Sequence, residues 1–363
     1  MSFRRRFVHL VMNDTKKRDF PLRRIDAARL FFPKGERPPV PPPPPEDARL
    51  PPVAIRFSAP TPTTGTGTNT SKGAMEFMLL HGGGGRGHSG WKKRPKVVAT
   101  DHTGRCVMYD PARETVRALP ELTPAPKVRP VALPVGDHDL YVIDTHFNRA
   151  FSRDAACFHG LLFDPDAAAD WGWRTMRPPP YARTYDPDSQ RVRAHITSYA
   201  VVGGGGGGGG GDCVWVSKDS LGTHAFDVGT GEWAKAGDWV LPFWAPVEDG
   251  VVRASDLVTV CASDLTASPP AAPRVLWREP PTPPEWQGRS SFLVHLGCSR
   301  FCLARFFKIV RGGTGGSPCV NRFAVFSGLE VVVEPGGHGD GDRMVKHKSL
   351  RYSLVNKLLH WVL

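Results

Sequence analysis

From Lys96 onward the chain reads as short apolar runs of four to eight residues separated by Gly, Pro, Asp and Asn: KVVATD, RCVMYD, DLYVID, GLLFD, CVWVS, HAFD, FLVHL, RFCLARFF, FAVFS and LEVVVE. Runs of this length bounded by turn residues predict β-strands, and few windows sustain a helical period. VAIRF at 53–57 predicts one more short strand. RRFVHLVM and PLRRIDAARLFF, within residues 1–33, read as edge strands or a short helix. LVNKLLHWVL near the C-terminus reads equally as a helix or a closing strand.

Several runs belong to a loose repeat. An apolar strand ends in an aromatic residue and Asp, a turn follows, and a second strand ends near proline. It occurs as CVMYDPARETVRALP (Tyr109, Asp110), GLLFDPDAAADWGWRTMRPPP (Phe163, Asp164) and THAFDVGTGEWAKAGDWVLP (Phe226, Asp227, Thr230, Trp233). In each, the Asp side chain is placed to cap the turn and the aromatics to cover one face. SDLTASPPAAPRVLWREPP is a degenerate fourth copy with Ser263 in the aromatic position. Propeller blades run at roughly 40–50 residues, so the repeat predicts an all-β propeller of five or six blades, with insertions such as the glycine run 203–211 and residues 312–318. A paired β-sandwich is the alternative.

Composition sharpens this picture. The 363 residues include 39 Gly and 36 Pro, about a fifth of the chain against an average of roughly 12%, which fits a turn-rich β fold with disordered Pro/Gly-rich insertions. The proline run 38–45 predicts an extended spacer that cannot join a sheet, and residues 58–75 are Thr/Gly/Ser-rich. Three segments result: a basic arm over 1–37 that contributes at most an edge strand, a Pro/Gly/Thr-rich linker with one short strand over 38–95, and a propeller-like β domain over 96–363.

The net charge of +12 is uneven, with 11 Lys/Arg against 4 Asp/Glu in residues 1–37. Arg4, Arg5, Arg6, Lys16, Lys17, Arg18, Arg23 and Arg24 form a candidate surface for nucleic acid, weighed against a solvated tail. No stretch approaches the ~20 continuous apolar residues of a membrane span, and no secretory signal is evident. The seven scattered cysteines read as reduced thiols in apolar strands. Together these place the chain in the cytoplasm or nucleus.

The hairpin Phe-Asp-x-x-Thr-x-x-Trp at 226–233 resembles the kelch repeat. RRFVHLVM with LRRIDAARLFF, EWAKAGDWVLPF, RFCLARFF, and MVKHKSLRYSL with HWVL resemble the grass domain-of-unknown-function family 1668. The resemblance covers nearly the whole chain and implies a kelch-like propeller with no biochemical activity attached. APVEDGVVRASDLVTV at 245–260 departs from the aromatic-rich strand pair of that family, which implies a shortened blade.

Signatures of chemistry are sparse. HGGGGRG at 81–87 satisfies G-x-G-x-x-G, but HSGWKKRPK follows where a dinucleotide site needs a helix. The His-Gly-Gly-Gly could serve an esterase oxyanion loop, yet there is no G-x-S-x-G elbow and no Gly-Lys pair for a phosphate loop. Cys298 and Cys302, on one face if in a strand, lack a second ligand pair and read as core thiols. His347 stands between Lys346 and Lys348 in MVKHKSLRY, which reads as a strand with one wet face. WKKRPK at 91–96 reads as a solvated loop end, and the ten tryptophans as anchors between sheets.

No catalytic residue, metal site or cofactor is predicted. The leading expectation is a non-enzymatic module that presents loops to a protein partner, in the manner of a kelch substrate receptor. A nucleic-acid-associated protein acting through the basic arm, and a propeller enzyme with a central pocket, are the other two.

Overall fold

The computed structural model describes residues 5–14, 16–60, 74–81, 95–125, 127, 130–145, 156–167, 170–180, 196–203, 212–219, 221–241, 246–247, 251–253, 259–265, 270–311, 319–332, 343–355 and 357–363. Arg4, the insertions at 204–211 and 312–318, most of the Thr/Gly-rich stretch (61–73), the glycines of HGGGGRG, the WKKR of 91–94 and most of 245–260 lie outside them. The described residues form six small sheets and no α-helix. The chain divides into two compact units that alternate along the sequence: Met1–Ser58, Ala254–Cys261 and Val275–Leu363 in one, Ala59–Arg253 and Ala262–Arg274 in the other.

In the first unit, β1 (Phe7–Asp14) and β2 (Phe20–Asp26) form a hairpin, followed by a 3-10 turn at Ala27–Leu30, β3 (Glu46–Ala48) and β4 (Val53–Phe57). The segment expected to be a basic arm is therefore folded. Val8, Leu10, Val11 and Met12 are fully buried, because an apolar run this dense can be buried on both faces of a strand. The segment 38–95, expected to be a linker with one short strand, holds β3, β4 and a further strand at 75–80, while the proline run 38–45 carries none.

The second unit contains three meanders. β5 (Met75–Leu80), β6 (Lys96–Asp101), β7 (Cys106–Asp110) and β8 (Thr115–Leu119) pair in sequence order, all antiparallel. So do β9 (Pro130–Val135), β10 (Asp139–Asp144), β11 (Phe158–Phe163) and β12 (Trp171–Thr175). The third comprises β13 (Ser198–Val202), β14 (Cys213–Lys218), β15 (Gly222–Asp227) and β16 (Trp233–Gly237), with β17 (Pro246–Val247) added in parallel to β13. Pro130 and Pro134 sit in β9, an edge strand, where the missing N–H groups cost no ladder bond.

Consecutive meanders stack through shared cores. Leu80, Val98 and Met108 pack with Leu140, Val142 and Leu161, and Tyr141 and Phe158 pack with Val214, Val216 and Phe226. Four-stranded antiparallel sheets packed face on face in chain order are blades, and the fold class is all-β of the propeller type. The middle meander is covered on both faces, through Leu140, Val142 and Leu161 by one neighbour and through Tyr141, Ile143 and Phe158 by the other, which two sheets closed into a sandwich do not allow.

β18 (Val251–Arg253), β19 (Thr259–Ala262) and β20 (Arg274–Arg278) are short strands. The first unit resumes with long strands: β21 (Gln287–Gly297), β22 (Arg300–Arg311), β23 (Cys319–Val332) and β24 (Arg343–Ser353), with β3 added in parallel at the edge. The last strand, β25 (Lys357–Val362), pairs antiparallel with β1, giving the order β25-β1-β2-β4. The ambiguous C-terminal run is thus a closing strand. His9 and Leu363 exchange backbone hydrogen bonds of 2.8 and 2.9 Å. Val8, Leu10 and Val362 share a core with Ala304, Phe306, Phe326 and Tyr352. Gly328 permits this packing, since a Cβ there would lie 2.3 Å from the Leu30 carbonyl oxygen.

Candidate functional site

The repeat occupies the same place in each meander of the second unit. Tyr109 and Asp110 end β7, Phe163 and Asp164 close β11, and Phe226 and Asp227 end β15, so each turn joins the third strand to the fourth. Phe163 lies opposite Trp171, and Phe226 opposite Trp233. Each Asp holds its turn through Oδ1. Asp110 accepts from the backbone of Ala112 at 2.9 Å and Arg113 at 3.3 Å, Asp164 from Asp166 at 3.1 Å, and Asp227 from Thr230 at 2.8 Å. The Thr230 amide, more than any other group, holds the Asp227 carboxyl below the usual carboxylate range. Left-handed residues close the turns: Glu114 and Asp170 at φ 55° and Gly231 at φ 74°. The turn residues Ala112–Glu114, Pro165–Ala167, Gly229 and Thr230 are exposed, as is Val116 of β8 at 52%.

The tryptophans behind these turns are internal anchors. Trp171 is 5% exposed and its Nε1–H donates to the His138 carbonyl at 3.1 Å, with Lys96 and Arg117 over its ring. The Trp233 Nε1–H donates to the Arg177 carbonyl at 2.7 Å. Ion pairs Arg117–Asp170 and Arg177–Glu232 tie each meander's outer strand to the next. In the degenerate copy, the Ser263 hydroxyl donates to the Ala271 carbonyl at 2.6 Å, so a polar bond stands where the other copies place a ring.

Of the basic residues near the N-terminus, several are engaged within the chain. Arg5 Nε donates to its neighbour Phe7 at 3.2 Å, Arg6 pairs with Asp26 at 2.8 Å, Arg23 donates to the Pro51 carbonyl, and Arg24 lies over the Phe7 ring. Lys16, Lys17 and Arg18 remain exposed together at the β1–β2 turn, whose backbone is held by Asp14 Oδ1. Strand pairing separates what composition groups together.

Two buried polar clusters hold a cation beside a carboxylate. In the second unit, Lys127 Nζ donates to the Ala156 carbonyl at 2.7 Å and to His159 Nδ1 at 3.0 Å, with Asp144 at 4.0 Å. The His159 Nε2–H donates to the Thr123 carbonyl at 3.1 Å, which fixes a neutral tautomer. Burial, then Lys127, pushes the His159 pKa down to about 4, and burial pushes the adjacent Cys157 thiol up to about 12. A thiol so placed is a poor nucleophile.

In the first unit, Glu279 Oε1 accepts from Arg305 Nη2 at 2.7 Å and from Lys346 Nζ, while Oε2 accepts from Trp277 Nε1 at 3.0 Å. Lys346, expected on a wet strand face, is therefore buried, because Glu279 compensates its charge. His347, expected to stand alone, hydrogen-bonds Glu330 at 2.9 Å through Nε2. Cys298 and Cys302 do not share a strand face. Cys298 is exposed in the β21–β22 turn at φ 54°, and Cys302 is fully buried in β22. Sequence reading missed the Glu279 cluster, whose only local sign was a cation inside each apolar run, Arg305 in RFCLARFF and Lys346 in MVKHK.

Among the described residues, no group of three or more His, Cys, Asp or Glu is placed to hold a metal, and no helix is long and apolar enough to cross a membrane. The class defined by the fold is an all-β, propeller-type protein. Its family follows from a match over residues 5–352 to the model described as "Protein of unknown function (DUF1668)". The chain belongs to that family. No curated protein and no solved structure matches it.

Proposed function

We propose that this chain is a non-enzymatic protein-interaction module, a kelch-like propeller acting in the manner of a substrate receptor through its exposed hairpin turns. One observation carries the reading: three successive meanders expose turns of one design, each held by an aspartate at its base. A loop fixed before binding loses little conformational entropy on contact, so a modest surface gains affinity. The titratable groups of the Lys127–His159 cluster are engaged with one another and with backbone, which suits a scaffold better than an acid–base centre.

The test is affinity purification of the tagged full chain beside two variants. One carries Arg113→Glu, Asp166→Lys and Thr230→Lys in the turns. The other carries Lys16→Glu, Lys17→Glu and Arg18→Glu at the basic turn. The proposal expects a reproducible protein partner that survives the second variant and is lost from the first. Nuclease-sensitive material lost only from the second variant would favour the nucleic-acid reading instead. Deleting residues 1–37 is no substitute, since it removes β1 and β2 from the core.

A further inference from the structure

The Glu279 cluster has an unbalanced charge. Glu279, Arg305 and Lys346 are 6%, 5% and 7% exposed, and among the described residues one carboxylate serves two cations. An uncompensated charge out of water is costly, and proteins rarely keep one without a partner. The second oxygen of Glu279 is already taken by Trp277. Arg305 keeps one donor in reserve: among the described residues its Nε–H has no hydrogen-bond partner although it is buried. The same holds for the hydroxyl of Ser291, which lies directly opposite Arg305 across the β21–β22 ladder.

Arg305 also lines a cleft. The ladder slips between Gly288 and Ser290, and a bulge of this kind commonly re-aims side chains beside a site. Against it runs the Pro280–Thr282 segment, leaving a cavity of about 120 Å³ between Pro280, Thr282, Ser290, Arg305 and Phe307. At ~30 Å³ per water in the liquid, this is room for roughly four waters, or a group of a few heavy atoms. Prolines and phenylalanines dominate the wall, with Arg305, Ser290 and Thr282 as its polar residues. Arg305 Cζ sits 5.2 Å from the Phe307 ring centroid, which holds the guanidinium in place. Burial lowers the Arg305 pKa against the opposing pull of Glu279, in keeping with a cation short of negative charge.

We propose that this cleft binds a carboxylate on a short apolar stem, with Arg305 as the anchoring cation. A carboxylate accepts from the planar edge of a guanidinium and brings the missing negative charge. The apolar wall takes the stem. Phosphate suits the cleft less well, because its oxygens call for more donors than the edge of one guanidinium and the Thr282 hydroxyl. The chemistry is shared by a free short-chain acid and by the C-terminus of a peptide. The site is independent of the hairpin turns proposed above for partner binding, and either can fail alone.

Isothermal titration of the full chain tests this, with five probes: butyrate, butyramide, inorganic phosphate, and an N-acetylated tripeptide as its free acid and as its amide. The expected result is binding of butyrate, the peptide acid or both, at least about tenfold tighter than the matched amide and tighter than phosphate. Preference between the two acids identifies the source. Arg305→Met, which leaves Glu279 and Lys346 paired one to one, should abolish binding. Thr282→Val, on the cleft wall, should weaken it about three- to tenfold and keeps the test alive if the first variant does not fold. Equal binding of acid and amide, tighter binding of phosphate, or no response to either substitution would overturn the proposal. So would the absence of binding by both acids.

Discussion

Asp227 shows how little of a side chain is needed to set a turn. Its carboxylate accepts the Thr230 amide, and the backbone turns back through Gly231 in the left-handed region. Nothing lies within 4 Å of where a Cβ would sit at Gly231, so Gly231→Ala meets only backbone strain. It should cost about 1–2 kcal/mol in denaturant unfolding, and Gly231→Asn less, since Asn tolerates that region. Gly222 is stricter: at φ +81° its Cβ would fall 2.2 Å from the Gly237 carbonyl oxygen. Gly222→Ala must therefore displace β16 and should cost clearly more than Gly231→Ala in the same assay. His9 makes a pH prediction. Burial, with Arg5 and Arg24 nearby, pushes its pKa from 6.5 down to about 3. As pH falls from 6.5 towards 3, the unfolded chain takes up a proton that the folded chain refuses, so stability falls. His9→Leu should flatten the dependence of stability on pH across that window by up to about 1.4 kcal/mol per pH unit. An unchanged slope would contradict the assignment.

Strands were legible where short apolar runs stood between turn residues. VAIRF is β4 from end to end, and the repeat marks β7–β8, β11–β12 and β15–β16. The FVHLVM run was harder to read because arginines flank it, and a charge count does not say which arginine meets which carboxylate. Arg6 finds Asp26 only through the β1–β2 register, in which Phe7 faces Asp26. The Glu279 cluster was illegible for a stronger reason. Its members are 26 and 67 residues apart in sequence, and only the fold brings them together. Cys298 and Cys302 misled because a strand was assumed where the chain turns. The pairing of β25 with β1 carries its own prediction. Removing residues 357–363 strips β1 of a neighbour and leaves its backbone N–H and C=O groups exposed beside the core. The truncated protein should melt at a lower temperature and aggregate on heating, as followed by light scattering.

The net charge of +12 divides between basic side chains that face carboxylates and others that stay exposed. Arg6, Arg56, Arg117, Arg177, Arg300 and Arg351 each face a carboxylate. Arg305 and Lys346 are buried beside Glu279. Among the described residues near the N-terminus, the exposed remainder comprises Lys16, Lys17 and Arg18 on one turn, and Arg29, Lys34 and Arg37 further along. Membership of a family without an assigned activity puts the functional weight on exposed, pre-formed surface, which in the second unit means the turns after Asp110, Asp164 and Asp227. Hydrogen exchange of the free protein and of its complex with the captured partner tests that most directly. The account predicts slowed exchange on binding at residues 111–114, 164–167 and 228–232. Unchanged exchange at all three turns, with protection confined to Lys16–Arg18, would contradict it.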